Sequence, residues 1–447
     1  MKIHPHDDVL EDLLLSLDSG HLAVLRHLQW CTYCRSRLAY LPREANAEAA
    51  AAGAGEASAY EIALAETARA VADCEADLER ERDAAPGLFL ELLEHSSDRQ
   101  EALLGEGATR FHTWGVFELL VERSLEVTIQ DPAHGETLGL LSLRLSDHLD
   151  ATRYGAERIA DLRARAWAYI GNSRRMRFDF AAAEEAFLTA HARLKEGTKD
   201  SLERAILLDL RASLRRAQRR FDDALRLLGR AVAIFLEAGE RHRAGRSLVK
   251  MSTVHHHAGD PAAGIPLLHQ ALDLIDPERE PRLLLCARHN LIDYNAEIGR
   301  FVEAQKLYRE ARPLYRSFNE PWVQNRRSWV RGKIARGLGQ IKQAETRFLA
   351  TRDGFVKEGI PYDTALVSLE LALLYAEQGR TEELKRLAAD MVPIFTSRHI
   401  HREALAALTF LQQAVEAEHA SLDLVVRVAN FLRKAEHDPE LRFETEP

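Results

Sequence analysis

From Leu162 onward one position of the chain returns at a fixed interval, at 183, 224, 264, 304, 344 and 384, a period of 40 or 41 residues. Small residues hold it in five units (Ala183, Ala224, Gly264, Ala304, Ala344), and Leu384 holds it in the last. Four residues later comes a large side chain in most units (Phe187, Leu228, Leu268, Tyr308, Phe348), and a glycine precedes the later units (Gly259, Gly299, Gly339, Gly379). Spacing of this kind predicts helix pairs: the small residue lets the second helix approach the first, the large one fills the seam, and glycine makes the turn. A single pair cannot bury both of its faces, so six at a fixed period must stack on one another as a solenoid.

Composition agrees with an all-α chain. Ala, Leu, Arg and Glu dominate the 447 residues and aromatics make up only 7%, so helix costs little in propensity. No run approaches the roughly 18 to 20 apolar residues of a membrane span, and Met1 to Asp8 lacks a signal-peptide apolar core. The expectation is a cytoplasmic protein without membrane contact. Cys31 and Cys34 form a CxxC pair while Cys74 and Cys286 stand alone, which is no disulfide framework.

The first unit, Trp167-x2-Ile170-Gly171 followed by Phe180-x2-Ala183-x3-Phe187-x2-Ala190, resembles the tetratricopeptide repeat family. The resemblance spans residues 164 to about 395 and implies a right-handed superhelix with a concave groove that binds protein or peptide. The period exceeds the usual value of about 34, which predicts longer helices or longer turns between repeats. HEAT-like repeats have a period nearer this one but lack the Gly-x-Phe-x2-Ala-x3-Phe pattern. The expected organisation is a module over 1–42, an Ala-rich linker and acidic amphipathic helix over 43–84, a degenerate helical region over 85–163 with breaks at Pro86 and Asp131-Pro132, six repeats over 164–400, and a capping helix pair with a tail over 401–447.

Near the N-terminus, His27-x3-Cys31-x2-Cys34 ends a leucine-rich segment. Spacings of four and three put one imidazole and two thiols on one helical edge, a donor set that suits zinc. His6 or His4 is the upstream candidate for a fourth ligand. His6, Leu10 to Leu14, Leu17-Asp18-Ser19-Gly20 and His27-Leu28-x2-Cys31-x2-Cys34-Arg35 together resemble the zinc-binding family of anti-sigma factors. That likeness implies zinc held by His6, His27, Cys31 and Cys34, and a sigma factor as a partner of this module. The alternative reading makes the two cysteines small buried residues and His27 a surface one.

Charge is segregated along the chain. Residues 43–110 carry 16 acidic against 6 basic side chains, and residues 161–350 carry 23 against 35, so the middle of the protein should attract anions. Carried over from the repeat family, the groove positions include Arg165, Asn172, Arg175, Asp209, Arg216, Arg246, His256, His289, Arg326, Trp329, Lys333 and Arg336. Guanidinium groups bind carboxylates through paired hydrogen bonds, so such a groove suits an acidic peptide. Consecutive residues on a helix diverge, so His255-His256-His257 is read as polar surface and not as a metal site. No zincin, P-loop, dinucleotide-binding or nucleophile-elbow motif occurs, and an enzyme is not expected. The leading reading is a regulator or adaptor that binds a protein. The competing readings are a nucleic-acid-binding regulator using clusters such as Arg326, Arg327, Arg331, Lys333 and Arg336, and an accessory subunit of an enzyme.

Overall fold

The computed structural model of the protein describes residues 56–104, 108–396, 411–415, 422–435 and 442–443, with Leu10, Val24, Leu28 and Leu408. Every regular element among them is helical. The chain divides into two compact units, residues 1–214 and 215–447. The first contains α1 (Glu56–Leu93), α2 (Ser97–Leu104), α3 (Trp114–Thr128), α4 (Pro132–Ser146), α5 (Ala151–Tyr154), α6 (Ala156–Met176), α7 (Phe180–Glu196) and most of α8 (Ser201–Ala217). The second contains α9 (Phe221–Glu237), α10 (Arg241–His257), α11 (Pro261–Leu272), α12 (Pro281–Glu297), α13 (Phe301–Arg316), α14 (Pro321–Gly337), α15 (Ile341–Glu358), α16 (Pro361–Glu377), α17 (Thr381–Thr396) and α18 (Leu422–Ala435).

The fold is an all-α helical-repeat array of tetratricopeptide type. First helices start at 201, 241, 281, 321 and 361, and second helices at 221, 261, 301, 341 and 381. The long period resides in the helices, because first helices such as α10, α12 and α14 each have 17 residues and the turn to the second helix takes only three. The middle residue of that turn has positive φ in every repeat: Phe178 (63°), Arg219 (57°), Gly259 (90°), Gly299 (80°), Gly339 (73°) and Gly379 (66°). The next residue then donates its N–H to the carbonyl five back, as in Asp260 to His255, Arg300 to Asn295 and Gln340 to Ala335. This bond closes each first helix and turns the chain back on itself. Pro281, Pro321 and Pro361 open three first helices at the turn where the missing N–H costs nothing.

Seam packing follows the volume of facing residues. A Cβ on Gly171 would stand 3.0 Å from the Phe187 ring, and one on Gly332 would stand 2.5 Å from the Phe348 ring. Both rings are fully buried. Where the second helix carries Tyr308, the corresponding first-helix residue is Ile292, also buried.

Two expectations about the flanks need revision. The chain does not break at Pro86, because α1 runs through it for 38 residues. Both Pro86 and Arg82, whose carbonyl loses its helical partner, are at least partly exposed, so water can take the orphaned carbonyl. The boundary at 84/85 therefore falls inside a helix, and the apolar face of α1 extends past it. Its Leu78, Ala85 and Leu92 join the core, and Glu81 accepts from the Trp114 backbone N–H and the Tyr154 hydroxyl, each at 2.9 Å. At the other end, Leu408, Leu411, Val415, Val425, Val428 and Leu432 are buried in the core that contains α16 and α17. At the N-terminus, Leu10 and Leu28 are helical and buried, whereas His4, His6, His27, Cys31 and Cys34 lie outside the described residues.

Candidate partner-binding surface

Residues three, four and seven apart on a helix share one face, and the repeat period places equivalent faces of successive first helices side by side. In the second unit this brings together Arg246 and His256 of α10, Cys286, His289, Asp293 and Glu297 of α12, Arg326, Trp329, Lys333 and Arg336 of α14, and Asp363, Glu370 and Glu377 of α16.

The cations on this face are not open. Lys333 Nζ lies 2.8 Å from Asp293 and 3.0 Å from Glu297. Arg326 meets Asp363 at 2.8 Å, and Arg336 meets Glu370 at 3.2 Å and Glu377 at 2.6 Å. Arg246 pairs with Glu280, and His256 lies 2.9 Å from Glu297 while stacking on Tyr294 at 4.6 Å. Nearly every partner belongs to the next or the previous repeat. The surface is a lattice of alternating charge that ties repeat to repeat, with carboxylates on the Arg and Lys side chains where amide, hydroxyl and imidazole partners were expected.

His289 contributes no charge. Burial pushes it down to about 4 against the pull of Asp293, and its Nδ1 lies 2.7 Å from the Tyr315 hydroxyl. Trp329 forms the floor of the face: it is buried, with Lys333 Nζ 5.0 Å and the Arg326 guanidinium 5.6 Å from its ring. Burial raises Asp363 above the usual carboxylate range, with Arg326 opposing. Cys286 occupies the position that Arg246 and Arg326 hold in the flanking repeats. Its side chain is exposed; desolvation by the surrounding protein raises the thiol pKa, with Arg326 opposing.

In the first unit, Arg165 is held by Glu203, with Nε at 3.0 Å. Burial works against the charge there, and the carboxylate outweighs it and raises the guanidinium pKa. Arg175 donates to Asn172 Oδ1 at 2.9 and 3.2 Å, and Asp209 is buried. Arg216, which lies at the start of the second unit, is 3.3 Å from His257 Nδ1. His256 and His257 thus turn to different partners, and no group of three metal-ligating side chains occurs among the described residues.

Glu297, Asp363, Glu370 and Glu377 are the residues that sequence reasoning missed, while Asp293 fell at a groove position. The signal was present, because each carboxylate stands 34 to 41 positions from its cation, one repeat away on an equivalent helix.

The sequence matches no protein-family profile and no curated protein. Among solved structures, the chain is similar to a Rap protein complexed with competence and sporulation factor, with 13% identity, a TM-score of 0.54, and coverage of 72% of this chain and 87% of that one. It is also similar to aspartyl phosphate phosphatase F from Bacillus subtilis, with 11% identity, a TM-score of 0.49, and coverage of 90% and 96%. A signal-transduction ATPase with a tetratricopeptide repeat sensor from Pyrococcus horikoshii matches with 12% identity, a TM-score of 0.36, and coverage of 84% and 50%. Likeness at such identity speaks to the fold.

Proposed function

We propose that the protein is a regulatory adaptor that binds a protein or peptide partner on the first-helix face of its second unit. The observation that carries this reading is the ion-pair lattice on α12, α14 and α16. It fixes long side chains in single conformations before any partner arrives, which removes much of the ordering cost of binding. Guanidinium groups engaged by one carboxylate keep further N–H donors for a ligand. A segment with backbone carbonyls and charges of both signs fits such a surface better than a uniformly acidic one, which would have to compete with Asp363, Glu370 and Glu377.

The crystallised Rap protein was complexed with competence and sporulation factor, and the shared fold makes the same class of activity reasonable here. A photo-cross-linking residue placed at Cys286 should capture one defined protein or peptide in the native cell. The same residue at Val302, which is 75% exposed on the second helix of that repeat, should not. Equal adducts at both sites, or none at Cys286, would remove the reading. The N-terminal motif is a second, separate contact in this proposal: zinc held by His27, Cys31, Cys34 and His6 would fold that segment, and a sigma factor remains its proposed class of partner. Metal analysis of freshly reduced protein should give about one zinc per chain, lost in the Cys31→Ser, Cys34→Ser variant; zinc-free wild type would end the zinc assignment.

A further inference from the structure

The basic run of α14 divides between two sides of the helix. Arg326, Lys333 and Arg336 enter the lattice described above, whereas Arg327 and Arg331, four apart, face the second helices α13 and α15. There the Arg327 and Arg331 guanidiniums lie 5.9 and 5.5 Å from the Tyr308 ring. Arg327 Nε donates to the Tyr308 hydroxyl at 3.0 Å, which leaves the hydroxyl proton available for another acceptor. Burial lowers the pKa of Arg331, Tyr308 opposes it, and three other arginines, Arg347 of α15, Arg327, and Arg312 of α13, add to the lowering. Among the described residues, no carboxylate forms an ion pair with any of the four.

Repeat register shows how unusual this is. Arg331 and Arg347 correspond to Leu291 and Leu307 one repeat earlier and to Leu371 and Leu387 one repeat later. Those leucines pack into the seam between helices. Three repeats earlier the Arg331 position is Arg211, and there the guanidinium has a carboxylate, Glu184, at 3.4 Å. The residue corresponding to Glu184 beside Arg331 is Gln305, whose amide oxygen accepts from Arg309 at 2.9 Å. At positions 331 and 347 guanidinium groups replace the leucines of the flanking repeats, and the carboxylate that faces Arg211 is replaced by a neutral amide.

We propose that Arg312, Arg327, Arg331, Arg347 and the Tyr308 hydroxyl form a binding site for a multiply charged phosphate oxyanion. The Arg327 and Arg331 forks at Tyr308, with Arg312 and Arg347 carried by the adjoining helices α13 and α15, supply donors that suit the tetrahedral oxygens of a phosphate group. A ligand with two or more negative charges compensates the cluster where a single carboxylate would leave it strongly positive. The site lies on the side of α14 away from Lys333 and is independent of the partner-binding reading.

The test uses the whole chain with inorganic pyrophosphate and O-phosphoserine, each against sodium chloride at equal ionic strength. Thermal unfolding should show pyrophosphate or phosphoserine raising the wild-type Tm by several degrees at a hundredfold excess over Kd. Arg331→Leu with Arg347→Leu, which restores the residues of the flanking repeats, should raise Tm in chloride alone and weaken the ligand at least tenfold by calorimetry. If the double variant does not fold, Arg347→Leu alone serves, since four other repeats hold leucine there (Leu227, Leu267, Leu307 and Leu387). Arg226→Leu, at an exposed arginine on α9, controls for lost net charge and should leave affinity unchanged. Binding of phosphoserine identifies a phosphorylated side chain as the source, and binding of pyrophosphate alone identifies a free oxyanion. Equal ligand effects in wild type and the leucine variant, or no effect in wild type, would overturn the proposal.

Discussion

Phe178 and Arg219 hold the left-handed backbone that glycine holds at the same turn in the four later repeats. Such a conformation costs a residue with a side chain roughly 1 to 2 kcal/mol. Phe178 has little local packing to offset this, being 79% exposed, so Phe178→Gly should stabilise the protein by about 1 kcal/mol. The converse, Gly339→Ala, isolates the backbone term, because a Cβ there would meet nothing within 4 Å. It should destabilise by about 1 kcal/mol in urea unfolding, and an unchanged midpoint would mean that the turn relaxes freely. A second residue-scale prediction concerns Asp161 on α6. It is 8% exposed, its Oδ2 accepts from the Thr198 backbone at 3.1 Å, and its Oδ1 has no partner. Burial pushes it up to about 6 despite those Thr198 bonds. The folded state therefore prefers the protonated acid. Its stabilisation is complete below the unfolded value of about 3.9 and is lost as pH rises through about 6. Between pH 4.5 and 7.5 the wild type should lose about 2 kcal/mol relative to Asp161→Asn; parallel pH profiles for the two would refute the assignment.

At the level of elements, the helix pair is the unit in which sequence and packing agree. Gly171 opposite Phe187 and Gly332 opposite Phe348 are one device used twice, with the later contact tighter by 0.5 Å. A methyl group at either site presses on a buried ring that has nowhere to go, at a cost of about 1 to 3 kcal/mol. Gly332→Ala should be the more damaging of the two in chemical unfolding, and the reverse order would contradict the packing described. Such pairs were legible beforehand because small and large residues recur at fixed spacing and both belong to one hairpin. The continuity of α1 was not. Proline in a helix interior normally breaks it, and the exposure of Pro86 and Arg82 gives the reason this one does not. The ion pairs of the candidate surface were half legible: their cations fall at groove positions, but a sequence read one helix at a time does not say which carboxylate, some 40 positions away, faces them. The separate setting of Arg331 was not legible for a related reason. It looked like part of one basic run with Lys333, and only three-dimensional placement on opposite sides of α14 separates the two.

Over the whole molecule, an array of this kind depends on how its last apolar face is closed, since every interior repeat is covered by neighbours and a terminal one is not. Here Leu408, Leu411, Val415, Leu424, Val425, Val428, Phe431 and Leu432 are buried in one core with Leu366, Val367 and Leu371 of α16. Each such side chain contributes about 1.5 to 3 kcal/mol when fully buried, so leaving this face uncovered costs an amount that matters against the narrow net stability of a folded chain. Removing residues 401–447 should leave α16 and α17 uncovered, and the exposed apolar patch should seek another surface. The truncated chain should bind a hydrophobic dye and associate with increasing concentration in sedimentation velocity, under conditions where the intact chain does neither. Val425→Asp with Val428→Asp should produce the same behaviour at full length, because both side chains are fully buried and an unpaired carboxylate in that core is costly. If both altered chains sediment as the intact one does and bind no dye, the C-terminal helices are not the cap of this array.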